Sequence, residues 1–277
     1  MDDSTVIYSS CNPAIISSKL TNHYKNISEY MAANKFVIND DKTHLMVMAP
    51  RRLAGQRSEV KIVAGDYTIK SSESQKLLGV TLHQSMSWNE HIRDGKESVL
   101  RQLTSRVNGL RKLAPRANFQ TKLMLANGIV MSKLCYGLAV WGSCQAYVRR
   151  ALQVQQLTAA STVCGHKSYF WSTAKLLSTC AWLSVNQLYW LQVLTTTHNV
   201  VVTKKPTNIH SRMLAHHRHG TRAATGVSRG FSGHPARSSY NHAAGEYNRL
   251  PADLRAEASY PVFKRRLKNW VKRNIPM

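Results

Sequence analysis

The chain has 277 residues, is 43% hydrophobic and carries a formal charge of +24. That is enough apolar material for one or two packed domains and too much for a disordered tail, and such a basic balance calls for an anionic partner. Its cysteines, Cys11, Cys135, Cys144, Cys164 and Cys180, are odd in number and form no C-x-x-C pair. They indicate neither a disulfide framework nor a zinc finger, and with no secretory signal they place the chain in a reducing, intracellular compartment, nuclear or cytoplasmic.

At the start, Asp2 and Asp3 run into a segment in which Val6 and Tyr8 alternate against Thr5 and Ile7, as at a β-hairpin that carries acids at its turn. Paired carboxylates there suit a hard ion such as Mg²⁺, although two acids beside a start methionine are more often a solvated terminus. Asn12-Pro13 then supplies a cap and a first-turn proline, and Ile16, Leu20, Tyr24, Ile27 and Met31 recur at helical spacing. Residues 45–49 read as a continuous apolar strand. Residues 60–63 and 67–70 flank Ala64-Gly65-Asp66 as a hairpin, and residues 76–82 read as a further strand.

From Trp88 the apolar period becomes helical. Ile92, Val99, Leu103, Val107 and Leu110 predict one long helix that Pro115 stops. Asn118 caps a second helix carrying Phe119, Leu123, Val130, Leu134 and Trp141, in which Tyr136-Gly137 reads as a kink. A third spans 148–163 with Gly165 as its stop, and two more span 172–180 and 184–201, the last opened by Ser184. Five helices with short connections make a bundle. The runs 123–144 and 176–194 are long enough to raise a membrane question, but Lys133, Asn186 and Gln187 interrupt them, so buried helices and no membrane are expected. Residues 204–245, rich in Gly, Ser, Arg and His, read as a loop or partly disordered arm. Its His216-His217-Arg218-His219 run is too closely spaced for a zinc site. A final helix begins at Tyr260-Pro261 and carries Phe263, Leu267, Trp270 and Val271. Trp88, Trp141, Trp182, Trp190 and Trp270 are expected to pack in the core.

The charge follows this division. Residues 1–97 hold 12 Lys/Arg and 11 Asp/Glu, residues 98–245 hold 18 and no acid, and residues 246–277 hold 8 and 3. Membrane lipid, acidic protein and nucleic acid all suit a long acid-free segment, and a basic surface spread over a helical domain suits a phosphate backbone best. Each cation alone is more often a solvated side chain; their sum carries the reading.

Taken in order, the landmarks resemble the back half of a non-LTR retrotransposon reverse transcriptase. Met1-Asp2-Asp3-Ser4 is similar to that family's aromatic-x-Asp-Asp turn, Asn39-x-x-Lys42-Thr43 to its N-x-x-K-T segment, and Leu77-Leu78-Gly79-Val80 with Ser87-Trp88-x-x-His91-Ile92 to its L-G-V and S-W-x-x-H-I block. Tyr136-Gly137 with Val140-Trp141-Gly142 resembles its Y-G and W-G element. Tyr247-Asn248-x-Leu250-Pro251 and Phe263-Lys264-x-x-Leu267-Lys268 resemble its C-terminal signatures. The resemblance implies an α+β fold: a partial palm of short antiparallel strands plus a helix over residues 1–87, a helical thumb over 88–203, a basic connector over 204–245 and a C-terminal helical segment over 246–277. It implies RNA-directed DNA polymerase chemistry in an intact parent, with Asp2 and Asp3 as Mg²⁺ ligands and Lys42 near the phosphates of the incoming nucleotide. Leu78 and Gly79 would sit in a primer-grip hairpin. Arg106, Arg111, Lys112, Arg116 and Lys122 would hold the phosphates of an RNA template in an RNA/DNA or DNA duplex.

The pattern is incomplete. The aromatic before the acid pair, the earlier palm strand with its aspartate and the fingers have no counterpart here, His83 stands where an acid is usual, and Tyr247 replaces a tryptophan. A two-metal site needs a further carboxylate, so the chain alone is expected to lack polymerase activity and to retain nucleic-acid binding. The alternatives are a non-enzymatic nucleic-acid-binding protein derived from a retroelement, or a relic without function.

Overall fold

A computed structural model describes residues 4–49, 51–65, 67–166, 171–214 and 239–277. The chain is mainly helical with two small antiparallel sheets, an α+β fold, and divides into a unit over Met1–His91 and a second over Ile92–Met277.

In the first unit, helix α1 (Pro13–Ala33) starts where Asn12 accepts a hydrogen bond from the Ala14 amide at 2.9 Å, with proline in the first turn. Strands β1 (Lys61–Ala64) and β2 (Tyr67–Lys70) pair antiparallel with Ile62 opposite Ile69. Alternation turns Ile62, Ala64 and Ile69 inward onto Leu45 and Val60, and Ile16, Leu20 and Tyr24 of α1 pack over them. The amides of Lys61 and Val63 donate to the hydroxyls of Ser17 and Thr21, each at 3.2 Å. Helix α1 thus covers a strand edge that would otherwise present unpaired donors.

Two strand expectations are corrected. Residues 45–49 make only an isolated bridge, Leu45 to Ser71. Serine side chains replace the ladder: Ser71 Oγ accepts from the Val47 amide at 3.2 Å, and both the amide and the hydroxyl of Ser72 donate to the Leu45 carbonyl at 2.9 Å. Residues 76–82 are not one strand but a hairpin, β3 (Ser74–Leu77) and β4 (Val80–His83), because Leu78 and Gly79 take φ values of +47° and +77°. Two successive positive φ values give the tight turn whose twist matches paired strands.

In the second unit, α2 (Val99–Leu113) buries Val99, Leu103, Val107 and Leu110 along one stripe and is followed by a 3₁₀ turn containing Pro115. Ile92 is not part of it, lying instead in a separate π-helical turn, Glu90–Asp94. The second expected helix is broken into α3 (Phe119–Ala126), a π turn (Asn127–Met131), α4 (Ser132–Cys135) and α5 (Leu138–Trp141). Asn118 caps α3 through the Thr121 amide at 2.9 Å. At the break Gly137 is left-handed, φ +66°, and the Trp141 indole N–H donates to the freed Tyr136 carbonyl at 2.9 Å.

Helix α6 (Ala146–Cys164) stops at left-handed Gly165, α7 (Thr173–Thr179) is capped by Ser172, and α8 (Val185–Thr203) opens with a reciprocal capping box between Ser184 and Gln187. Then come α9 (Thr207–Leu214), α10 (Ser239–Asn248), α11 (Ala252–Arg255) and α12 (Tyr260–Asn274). Helices α9 and α10 correct the expectation of a loop at both ends of 204–245; residues 215–238 lie outside the described ones. Helix α8 is buried nearly all round, from Val185 through Tyr189, Leu194 and His198 to Val200, and α5, α10 and α12 pack against it. Phe263, Leu267 and Val271 at helical spacing make the buried stripe of α12. Among the described residues no helix is long and apolar enough to cross a membrane.

Candidate nucleic-acid interface

The stripe that buries Val99, Leu103, Val107 and Leu110 fixes what α2 shows on its other side. At 100° per residue, Arg101, Thr104, Ser105, Asn108 and Lys112 share the outward face, and with Leu100 and Gly109 they line a shallow trough of about 690 Å³. A Cβ placed on Gly109 would meet nothing, so the trough stays open at its middle. Arg101 and Lys112 stand three turns apart, about 16 Å at 1.5 Å per residue, with two hydroxyls and an amide between them. The Thr104 hydroxyl donates back to the Leu100 carbonyl at 2.9 Å, so the donors left between the two cations are those of Ser105 and Asn108, groups that phosphate oxygens bind.

The expected site residues separate into groups. Arg111 and Lys112 close the last turn of α2, where a cation also complements the helix dipole, and Arg116 follows in the 3₁₀ turn; all three are exposed. Lys122 on α3 is half-buried. Arg106 is turned inward: its guanidinium donates to the Ile129 carbonyl at 2.7 Å, tying α2 to the π turn. Arg101, Thr104, Ser105 and Asn108 were not singled out by sequence, although a helical wheel anchored on the leucines would have set them beside Lys112.

In the first unit Lys42 ends a 3₁₀ turn that Asn39 holds, its amide within 3.1 Å of the Asn39 side chain, and its own side chain is exposed. Leu78, 74% exposed, and Gly79 form the tip of the β3–β4 hairpin. Asp2 and Asp3 lie outside the described residues, as do His216, His217, His219 and His234. Among the described residues no group of His, Cys, Asp and Glu comes together that could hold a metal ion.

Other chemistry is narrowed by burial. The five cysteines are free, and Cys164 and Cys180 approach to 3.9 Å between sulfurs. Burial pushes the thiols of Cys135 and Cys144 up to about 11 and that of Cys180 to about 12, the last also raised by Cys164. Such thiols stay protonated and are poor nucleophiles. Several cations are engaged internally: Arg93 with Asp94 at 2.6 Å, Arg249 with Glu246 at 2.6 Å, Arg266 with Asp253 and Glu257, and Lys175 over the Trp171 ring at 4.3 Å. The α2 face forms no such pair among the described residues.

The chain matches no family profile, no curated protein and no solved structure.

Proposed function

We propose that the chain grips nucleic acid by its phosphates, as the closing part of a reverse transcriptase of the non-LTR retrotransposon kind, and supplies no polymerase chemistry by itself. The observation that carries the reading is the outward face of α2, where Arg101 and Lys112 bracket Thr104, Ser105 and Asn108 in a chain with no carboxylate from 98 to 245. A surface of that kind attracts a polyanion along its whole length rather than at a point. The order of motifs from Lys42 through Gly79 and Trp141 to Phe263 supports the family reading, and the hairpin at Leu78-Gly79 is the local structure a primer grip calls for.

The test is binding of an RNA/DNA duplex across a salt series. The logarithm of affinity falls with the logarithm of salt, and Arg101→Ala with Lys112→Ala reduces that slope by about 0.9 for each phosphate the variant no longer neutralises. Arg106→Ala lowers stability instead, since its partner is a backbone carbonyl. Primer extension with Mg²⁺ stays at background; extension abolished by Asp2→Ala overturns the second half of the proposal. Duplex binding unchanged in the double variant overturns the first.

A further inference from the structure

A second concavity of the helical unit serves neither the fold nor the α2 face. It is an open groove of about 490 Å³, with Trp182, Leu188 and Leu191 on its floor and Lys264, Arg265 and Lys268 on the wall that α12 provides. The two sides of α12 differ. On one flank Arg266 pairs with Asp253 and Glu257, while the three cations of the groove wall make no ion pair among the described residues. The floor is preformed, because the Trp182 indole N–H donates to Asn127 Oδ1 at 2.8 Å and fixes the ring. A prebuilt floor spares an incoming ligand the entropy of ordering it.

From the apolar floor and the single cationic wall we infer that this groove docks an acidic amphipathic helix of a partner protein, leucine-like side chains downward and carboxylates toward Lys264, Arg265 and Lys268. The chemistry of the floor decides against nucleic acid. Single strands are held by open aromatic faces on which bases stack, and here the one aromatic is 9% exposed among aliphatic side chains. A duplex offers phosphates and polar edges but nothing that fills an apolar floor. A helix with apolar residues along one stripe fills it, which is the helix-in-groove mode of recognition. This unit offers no acidic helix of its own: its acids are Asp94 and Glu97 ahead of α2, with Asp94 paired to Arg93, and Glu246, Asp253 and Glu257, paired with Arg249 and Arg266, while residues 98–245 contain none.

The probe is a labelled synthetic peptide, helical, with leucines at i, i+4 and i+7 and glutamates elsewhere, titrated against the full chain. It binds, and Lys264→Glu with Lys268→Glu weakens it at least about tenfold with an unchanged unfolding midpoint. A peptide with lysine in place of each glutamate gains affinity for that variant. Three results would overturn the inference: a peptide with serine for each leucine binds as well, the double reversal leaves affinity unmoved, or an oligothymidylate displaces the peptide and itself depends on Lys264 and Lys268. The last outcome would assign the groove to nucleic acid.

Discussion

Gly142 shows how much a single hydrogen can matter. A Cβ there would collide with the Leu138 carbonyl and the ring of Tyr189, both held by the packing of α5 on α8. Gly142→Ala is expected to cost about 1–3 kcal/mol by overpacking, read as a lower denaturant midpoint. Gly109→Ala meets open space in the middle of α2 and is expected to gain about 0.5–1 kcal/mol in the same measurement, by helix propensity. His198 is the other residue whose surroundings dictate behaviour. Its ring lies flat on Phe263 at 3.5 Å, Nδ1 is 3.0 Å from the Tyr247 hydroxyl and Nε2 is 2.8 Å from the Glu257 carbonyl. A carbonyl only accepts, so Nε2 carries the proton and Nδ1 accepts from Tyr247, whose hydroxyl burial pushes up to about 12 and keeps protonated. Burial holds the His198 pKa below the ordinary imidazole value, against the raising effects of the Glu257 carbonyl and charge. The unfolded chain therefore binds the proton first, and stability falls as pH drops from about 6.5 toward the folded value, then levels. The unfolding midpoint of the native chain should fall more between about pH 7 and pH 5 than that of His198→Gln; equal slopes would contradict it.

At the scale of elements, what was legible in the sequence was what is decided within a few residues. Asn12, Asn118 and Ser184 cap the helices they precede, and Gly165 ends α6, because a cap needs only its own turn. Residues 45–49 stop at one bridge because, beyond it, the Val47 amide is taken by the Ser71 hydroxyl, distant in sequence, instead of by a ladder carbonyl. The bend at Leu78 was hidden from the apolar pattern because leucine is seldom left-handed. Of the cations singled out in the sequence, Lys112 and Arg116 are exposed, whereas the inward turn of Arg106 depends on the π turn at Ile129, which no local pattern announces. Tyr247 supplies the hydroxyl that His198 Nδ1 accepts from. The edge cover of β1 yields a test at this scale. Thr21→Val keeps the shape and removes the acceptor for the Val63 amide, so stability of the first unit drops by about 1 kcal/mol and that amide exchanges faster.

The whole chain combines two bodies of unequal internal support. In the first, the buried core is Leu45, Val60, Ile62, Ala64 and Ile69 under one helix, the sheets have two strands each, and Ile7, Phe36 and Val37 stand 87%, 64% and 95% exposed. Two-stranded ribbons are marginal by themselves and draw their stability from what packs on them. In the second, α8 is enclosed by α5, α10 and α12, with Leu194, Phe263, Leu267 and Val271 fully buried. Amide protection follows buried packing, and regions with few apolar neighbours open at lower free energy. Exchange measured on the intact chain is therefore expected to release the β1 and β2 amides well before those of α8, in two separate steps. A small increment of denaturant should accelerate the first set alone. One common rate of exchange for β1, β2 and α8 would mean that the two bodies open together, and that the core around Ile62 is held by more than its own side chains and the helix above them.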